Sequence, residues 1–269
     1  MIGMGMIYSV EMACTSHKGK IRSENQDNYV FQGEFLPEHH LSMNEIIYSE
    51  KLAGDIFAVA LFDGMGGECR GELASYEAAK AFSKETFENT WDVQKMRNIM
   101  LRLNDEVCRA QNEKRICRMG TTAVILLFDN QRAWISNVGD SPAYMERDGD
   151  LNLLTVAHTD AEMLKKQEIE NRKPTLTQYL GIPQEEFLLE PYIDMIEIKQ
   201  GDQFLLCSDG LTDMISEEEI RGVLLEQIEI VKKVEKLVKK ALMRGGRDNI
   251  TVILCQIKHH SEGEEKNEY

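Results

Sequence analysis

Two short apolar runs in this 269-residue chain end at the same dipeptide. Asp55-Ile-Phe-Ala-Val-Ala-Leu-Phe62 runs into Asp63-Gly64, and Phe204-Leu-Leu-Cys207 passes through Ser208 into Asp209-Gly210. Their length, strand-forming residues and abrupt glycine stop predict buried strands rather than helices. Apolar strands lie in a protein's interior, so their ends can converge, and here each end carries a carboxylate. Three other segments present an aspartate beside small or polar residues: Asp27 in Arg22-Ser-Glu-Asn-Gln-Asp27, Asp140 in Asn137-Val-Gly-Asp-Ser141, and Asp248 in Gly245-Gly-Arg-Asp-Asn-Ile-Thr251.

Taken singly, such an aspartate marks a turn. Taken together, carboxylates folded into one pocket would repel and take up protons unless a cation neutralised them. Oxygen donors of this kind suit Mg²⁺ or Mn²⁺, not zinc. The pattern fits two-metal hydrolysis, in which two cations roughly 3.5–4 Å apart share a bridging water. An arginine with paired donors would then clamp the phosphoryl oxygens. Arg22, five residues before Asp27, is the candidate.

The rest of the chain reads as strands in hairpin-like groups with long helices between them. Strands are expected at 7–14, 55–62, 121–128, 132–138, 192–199, 203–208 and 249–257, and a polar segment, Thr15 to Asn28, follows the first. Helices are expected at 68–88 and 92–113, the latter carrying the stripe Met96, Ile99, Met100, Leu103 and Val107. Ser216-Glu-Glu-Glu219 is a capping box opening a helical region, with a break near 226–229 and a stop at Gly245-Gly246. Residues 151–180 read as a loop with a short helix around 160–170. This is not the regular βαβ alternation of a doubly wound fold, and an α+β domain of antiparallel sheets with covering helices fits better. One domain is expected over 1–258, with a polar, acidic and disordered tail at 259–269.

The formal net charge of −15 argues against bulk attraction to nucleic acid or to an anionic membrane. No apolar run approaches the roughly 20 residues that cross a bilayer, and Met1 to Val10 lacks the features of a signal peptide. The six cysteines are scattered without a C-x-x-C pair, as in a reduced, cytoplasmic protein.

The motifs as a set resemble the metal-dependent protein phosphatase family, also called the protein phosphatase 2C family, in its compact bacterial form. The resemblance runs in order from Gly19 to Thr251. It rests on Arg22 to Asp27, Asp63-Gly-Met-Gly-Gly67, Met119-Gly-Thr-Thr122, Val138-Gly-Asp-Ser141, Leu180-Gly181, Ser208-Asp-Gly-Leu211 and Gly245-Gly-Arg-Asp-Asn-Ile-Thr251. It implies a four-layer α/β/β/α sandwich, two central antiparallel sheets flanked by helices. It also implies phosphoserine and phosphothreonine hydrolysis by direct attack of a water or hydroxide bridging two Mn²⁺ or Mg²⁺ ions. In that scheme Asp63 bridges both ions, the Gly64 carbonyl adds a ligand, Asp27 acts through metal-bound water, and Asp209 and Asp248 hold the far side. Arg22 binds the substrate phosphate, and Asp140 marks a third, weaker metal. The partners implied are phosphorylated proteins, a cognate Ser/Thr kinase or its substrates, for an enzyme that works as a monomer.

The sequence departs from the family pattern at three positions. Met65 stands where some relatives have a histidine, Pro142 where an arginine is usual, and Ala157 where an aspartate is usual. His158 reads as a structural hydrogen-bonding residue, and His17 lies near the site segment. Ser141 and Ser208 lack the surroundings of a nucleophile. Residues 155–180 correspond to the family's flap and are expected to contact the substrate protein. Three rival readings are weighed: an inactive relative that binds phosphoproteins as a regulatory module, an enzyme dedicated to one phosphoprotein, and a calcium-binding structural protein.

Overall fold

In the β4 strand (Phe57–Asp63), alternate residues face two different cores. Val59 and Leu61 pack with one buried cluster, and Ala58, Ala60 and Phe62 with another. A strand covered on both faces reads as an unbroken apolar run, because neither side is left for polar residues. The computed structural model describes residues 8–259 apart from 53–54, 66–69, 88–89, 117, 130 and 170–171. The expected tail from 260 onward and the glycines at 66 and 67 lie outside the described residues, while His259 still belongs to the last strand.

Among these residues the elements run β1 (Tyr8–His17), β2 (Asp27–Val30), β3 (Ile47–Leu52), β4, α1 (Gly71–Phe82), α2 (Val93–Glu113), β5 (Ala123–Asp129), β6 (Arg132–Val138), β7 (Ala143–Arg147), β8 (Asp150–Leu153), α3 (Ala161–Lys166), β9 (Tyr192–Glu197), β10 (Gln203–Cys207), α4 (Asp209–Thr212), α5 (Glu217–Leu224), α6 (Ile230–Met243) and β11 (Ile250–His259). A six-stranded sheet has the order β3-β1-β11-β10-β7-β8, and a five-stranded sheet the order β2-β4-β5-β6-β9. The strand pairs within each are antiparallel.

Three buried clusters define four layers. The central one joins Met12, Phe204 and Ile253 of the first sheet to Leu61, Leu126 and Phe128 of the second. A second packs α1 and α2, through Leu73, Phe82, Met100 and Leu103, on the outer face of the five-stranded sheet. A third packs α5 and α6, through Ile220, Val234 and Leu237, on the outer face of the six-stranded sheet. The result is the α/β/β/α sandwich expected from the resemblance.

Local chemistry fixes the ends. Asp92 caps α2 by accepting from the Lys95 N–H at 2.8 Å. The Ser216 capping box forms as expected at the start of α5. The helical region breaks between α5 and α6 and ends before Gly245 and Gly246, both with positive φ. Three expectations need correction. The helix placed at 68–88 spans only Gly71–Phe82. The polar segment before Asn28 gives way to a strand at Asp27. A β7–β8 hairpin occupies a stretch that the sequence reading left without strands until residue 151 and then took as loop.

Candidate active site

The register of β2 on β4 sets Asp27 directly opposite Asp63. Side chains of such a pair share one face of the sheet, with Cβ atoms about 4.5–5.5 Å apart. Asp27 is 1% exposed, and its Oδ2 accepts from Ser208 Oγ at 2.8 Å and Thr251 Oγ1 at 2.7 Å. Both hydroxyls belong to the other sheet's side of the sandwich. A relay stands behind Thr251, for its hydroxyl lies 2.8 Å from Ser16 Oγ, which accepts from Asn25 Nδ2 at 2.9 Å. Thr251 has one proton and spends it on Asp27. Ser16 therefore donates to Thr251, and the whole relay points its protons at the carboxylate.

The Met119-Gly-Thr-Thr122 segment holds Asp63 by its backbone. The Asp63 N–H donates to Thr122 Oγ1 at 3.0 Å, while the Thr121 hydroxyl and the Thr122 N–H donate to the Asp63 carbonyl at 2.9 and 2.8 Å. Gly64 passes so close to its neighbours that a Cβ there would lie 2.3 Å from the Gly71 carbonyl oxygen and 2.5 Å from that of Gln26. Asp209 opens α4. Gly210 behind it lets the helix touch β11's entry, where a Cβ would sit 1.9 Å from the Asn249 carbonyl oxygen.

Asn249 is the clamp of the site. Its Oδ1 accepts from the Gln26 N–H at 2.8 Å, and its Nδ2 donates to the carbonyls of Lys18 and Glu24, both at 2.9 Å. The loop between β1 and β2 is thereby tied to Asp248. On that loop the Arg22 guanidinium donates to Asp248 Oδ2 at 2.6 Å.

These placements crowd negative charge. Burial first, then Asp209 and Asp248 nearby, push the Asp27 carboxyl up to about 7 against its two hydroxyl donors. Burial and four aspartates, Asp27 foremost, raise Asp63 well above the usual range. Burial raises Asp209 to about 6, although the Lys173 ammonium opposes it, and burial also raises Asp140. Lys173 Nζ lies 3.3 Å from Asp209 and 3.2 Å from Asp213. The donor set is all oxygen and short of cations, which is the chemistry that suits a hard divalent ion. Among the described residues no three His, Cys, Asp or Glu side chains already close on one point as a compact metal-holding group.

The six residues singled out for the site, Arg22, Asp27, Asp63, Asp140, Asp209 and Asp248, thus act on one another. The reading of sequence gave no role to Ser16, Asn25, Asn249 or Thr251, although they sit in or beside its motifs, and it placed Lys173 in the flap without linking it to Asp209. His17 Nδ1 accepts from the Gly19 N–H at 2.9 Å, which ties its ring to the turn. The His158 backbone N–H donates to the Gly139 carbonyl at 2.9 Å, and its ring Nδ1 lies 3.3 Å from both the nitrogen and the carbonyl oxygen of Gly139. Met65 packs its thioether toward Gly120, where an added Cβ would lie 2.7 Å from the sulfur. Pro142 uses its carbonyl to accept from Cys207 N–H at 3.1 Å.

The model of the family described as "Protein phosphatase 2C" matches residues 45–244. The chain belongs to the protein phosphatase 2C family. Within it, the chain is 30% identical over 263 residues to the serine/threonine protein phosphatase PstP of Mycobacterium tuberculosis, covering 94% of this chain and 46% of that protein. It therefore spans about half the length of that relative. It is 33% identical over 237 residues to the serine/threonine phosphatase stp of Listeria monocytogenes, covering 81% of this chain and 90% of the other. The crystal structure of the M. tuberculosis phosphatase PstP/Ppp superposes with a TM-score of 0.75 at 26% identity, over 93% of this chain and 100% of that one. The PstP catalytic domain in complex with two manganese ions gives 0.72 at 25% identity, over 93% and 99%. These protein phosphatase 2C structures share the sandwich described above.

Proposed function

We propose that this chain is a protein serine/threonine phosphatase that hydrolyses phosphoserine and phosphothreonine with the help of two divalent cations, Mn²⁺ or Mg²⁺. The observation that carries the reading is the cross-strand pair of buried Asp27 and half-buried Asp63, whose carboxyls are lifted by desolvation and by the aspartates around them. The manganese complex of the related PstP domain supports the choice of ion.

Asp63, the Gly64 carbonyl, Asp209 and Asp248 are the proposed ligands, with Asp27 acting in the same cluster through water and Asp140 serving a third cation. Divalent ions bound there would supply Lewis acidity and a nucleophilic water at neutral pH. The chain's own groups do the rest. Asp248 orients the Arg22 guanidinium, which uses one of its N–H donors on that carboxylate and keeps others for phosphoryl oxygens. Ser208 and Thr251 favour the charged form of Asp27 and offset part of the effect of burial. Met65 cannot donate a proton, so leaving-group protonation falls to water or another group.

The flap reading has its own support. Residues 158–160 and 175–177 are tied together, the Thr175 and Thr177 N–H groups donating to Asp160 Oδ1 and the His158 carbonyl, both at 2.8 Å. Arg172 also bonds Asp160. Lys173, between them, reaches Asp209. This segment beside the carboxylates is the proposed contact for the substrate protein. The working picture is a cytoplasmic monomer acting on a cognate Ser/Thr kinase or its substrates.

An inactive phosphoprotein-binding relative is the alternative. A binding module has no chemical need for four crowded aspartates, two of them lifted to about 6 and about 7. Turnover of a phosphothreonine peptide in Mn²⁺, Mg²⁺ or chelator separates the two readings. The expected result is metal-dependent turnover, with at least about a 100-fold loss in Asp209→Asn, the scale of several kcal/mol of transition-state stabilisation. Equal turnover in chelator rejects the mechanism, and no turnover in either metal favours the binding module.

A further inference from the structure

The acidity of this chain is unevenly spread. Residues 17–22 and 230–247 together hold ten of its 31 Lys and Arg residues but only one, Glu235, of its 46 Asp and Glu residues. The two segments touch, since the Lys20 N–H donates to the Gly246 carbonyl at 2.7 Å and Asn249 ties Lys18 to the same strand entry. They form a basic ridge along α6 that ends beside Arg22 and Asp248.

Most of the ridge faces solvent. One lysine, Lys233, is turned inward to Gln203 and the Leu224 carbonyl, at 2.8 and 2.6 Å. Glu219, Glu226 and Glu235 answer Lys232, Lys236, Lys240 and Arg244. Lys20, Lys239 and Arg247 are exposed and have no ion-pair partner among the described residues. A groove of about 540 Å³ runs along the helix, lined by four lysines (Lys232, Lys236, Lys239 and Lys240), by Glu226 and Glu235, which pair with Lys236 and Lys232, and by Ile228 and Met243. Met243, which lines the groove, and Ile21, next to the Lys20 whose N–H reaches Gly246, are the two most exposed large apolar side chains among the described residues, at 75% and 71%. Ile21 directly precedes Arg22, on a loop whose backbone is pinned at Lys18, Lys20 and Glu24. Its exposure is therefore built in.

We infer that this ridge is a docking surface for an acidic stretch of the phosphoprotein substrate, lying beside the phosphorylated residue that Arg22 receives. The inference rests on the phosphatase reading and adds to it the class of substrate. Fourteen helical residues span about 20 Å, which an extended peptide covers in about six residues. Acidic residues are thus favoured within about eight positions of the phosphoresidue on one side, with an apolar neighbour against Ile21. Charge complementarity selects this occupant. Nucleic acid and membranes are larger polyanions, and the −15 of the whole chain repels them while a short acidic segment reaches only the ridge.

The test uses phosphothreonine peptides that differ only in a six-residue flank, acidic or neutral, on either side, with p-nitrophenyl phosphate assayed in parallel. The full chain with Mn²⁺ is compared with Lys236→Glu/Lys239→Glu and with the milder Lys236→Gln/Lys239→Gln. Several weak exposed ion pairs acting together should favour the acidic flank by about tenfold in kcat/KM at low salt, through KM. That advantage should vanish at about 1 M salt, where the screening length is roughly 3 Å. Both variants should lose it while hydrolysing the aryl phosphate normally. Equal turnover of acidic and neutral peptides by the unaltered chain overturns the inference, and so does a preference that survives both variants. If neither peptide nor aryl phosphate is hydrolysed with metal, the phosphatase reading fails and the inference falls with it.

Discussion

Asp27 is a carboxyl that water scarcely reaches, and two hydroxyls favour its charged form against burial, which still lifts it to about 7. Burial alone would keep its proton on, and the Ser208 and Thr251 donors pull the other way. Replacing Thr251 by Val removes one donor and breaks the relay from Asn25 and Ser16. The Asp27 carboxyl should then rise further, so more protons must be displaced before a cation binds. We expect Thr251→Val to cost about 1–3 kcal/mol in urea unfolding, the penalty for a buried polar group left short of a partner. It should also weaken Mn²⁺ binding at pH 7. An unchanged Mn²⁺ affinity would show that the relay is merely structural. Arg22 gives a second test at this scale. Arg22→Lys keeps the charge but loses the fork of donors, so KM for a phosphopeptide should rise nearly as much as in Arg22→Ala. Full rescue by lysine would mean that Arg22 acts by charge alone.

At the scale of elements, strand ends make the site and helix caps hold its outer walls. Ser216→Ala removes the α5 capping box and should lower stability by about 1 kcal/mol in thermal or urea unfolding while leaving metal-dependent activity intact. A large activity loss would mean that α5 does more than cover the sheet. What could be read from sequence follows the same division. The β4 and β10 strands were legible because burial on both faces leaves an unbroken apolar run ending at an aspartate. The β2 strand was not, since four residues beginning Asp-Asn carry no pattern and Asn28 turns its side chain to Leu36. The exposed edge strand β3 alternates too weakly to stand out. The β7–β8 hairpin did leave a signal, Asp148-Gly149, both with positive φ as a primed turn demands, but no element was assigned to it. Asp63, Asp140 and Asp209 announced themselves by an adjoining glycine, and Asp27 and Asp248 by their polar surroundings. Their supports did not, because Thr251 meets Asp27 across 224 residues and Ser208 across 181, and no local spacing encodes such pairings.

At the scale of the whole molecule, the sandwich buries charges that only cations can relieve. Asp27 near 7 and Asp209 near 6 both stand above the ordinary carboxylate value of about 3.9. A carboxyl raised by folding binds more protons folded than unfolded across that window, so its contribution is present at low pH and lost as pH rises through about 6 and 7. In chelator, the unaltered chain should therefore lose thermal stability between about pH 5 and pH 8 more steeply than Asp27→Asn/Asp209→Asn. Added Mn²⁺ should restore stability at the alkaline end, where protons no longer compete. A parallel slope in the two proteins would contradict the sign. The account as a whole depends on carboxylates from both sheets sharing divalent ions. Calorimetric titration of Mn²⁺ into the metal-free chain and into Asp63→Asn tests that most directly. The prediction is at least two ions bound per unaltered chain, with proton release, and the loss of both tight sites in the variant. Equal stoichiometry and affinity in the two proteins, or no binding to the unaltered chain, would contradict it.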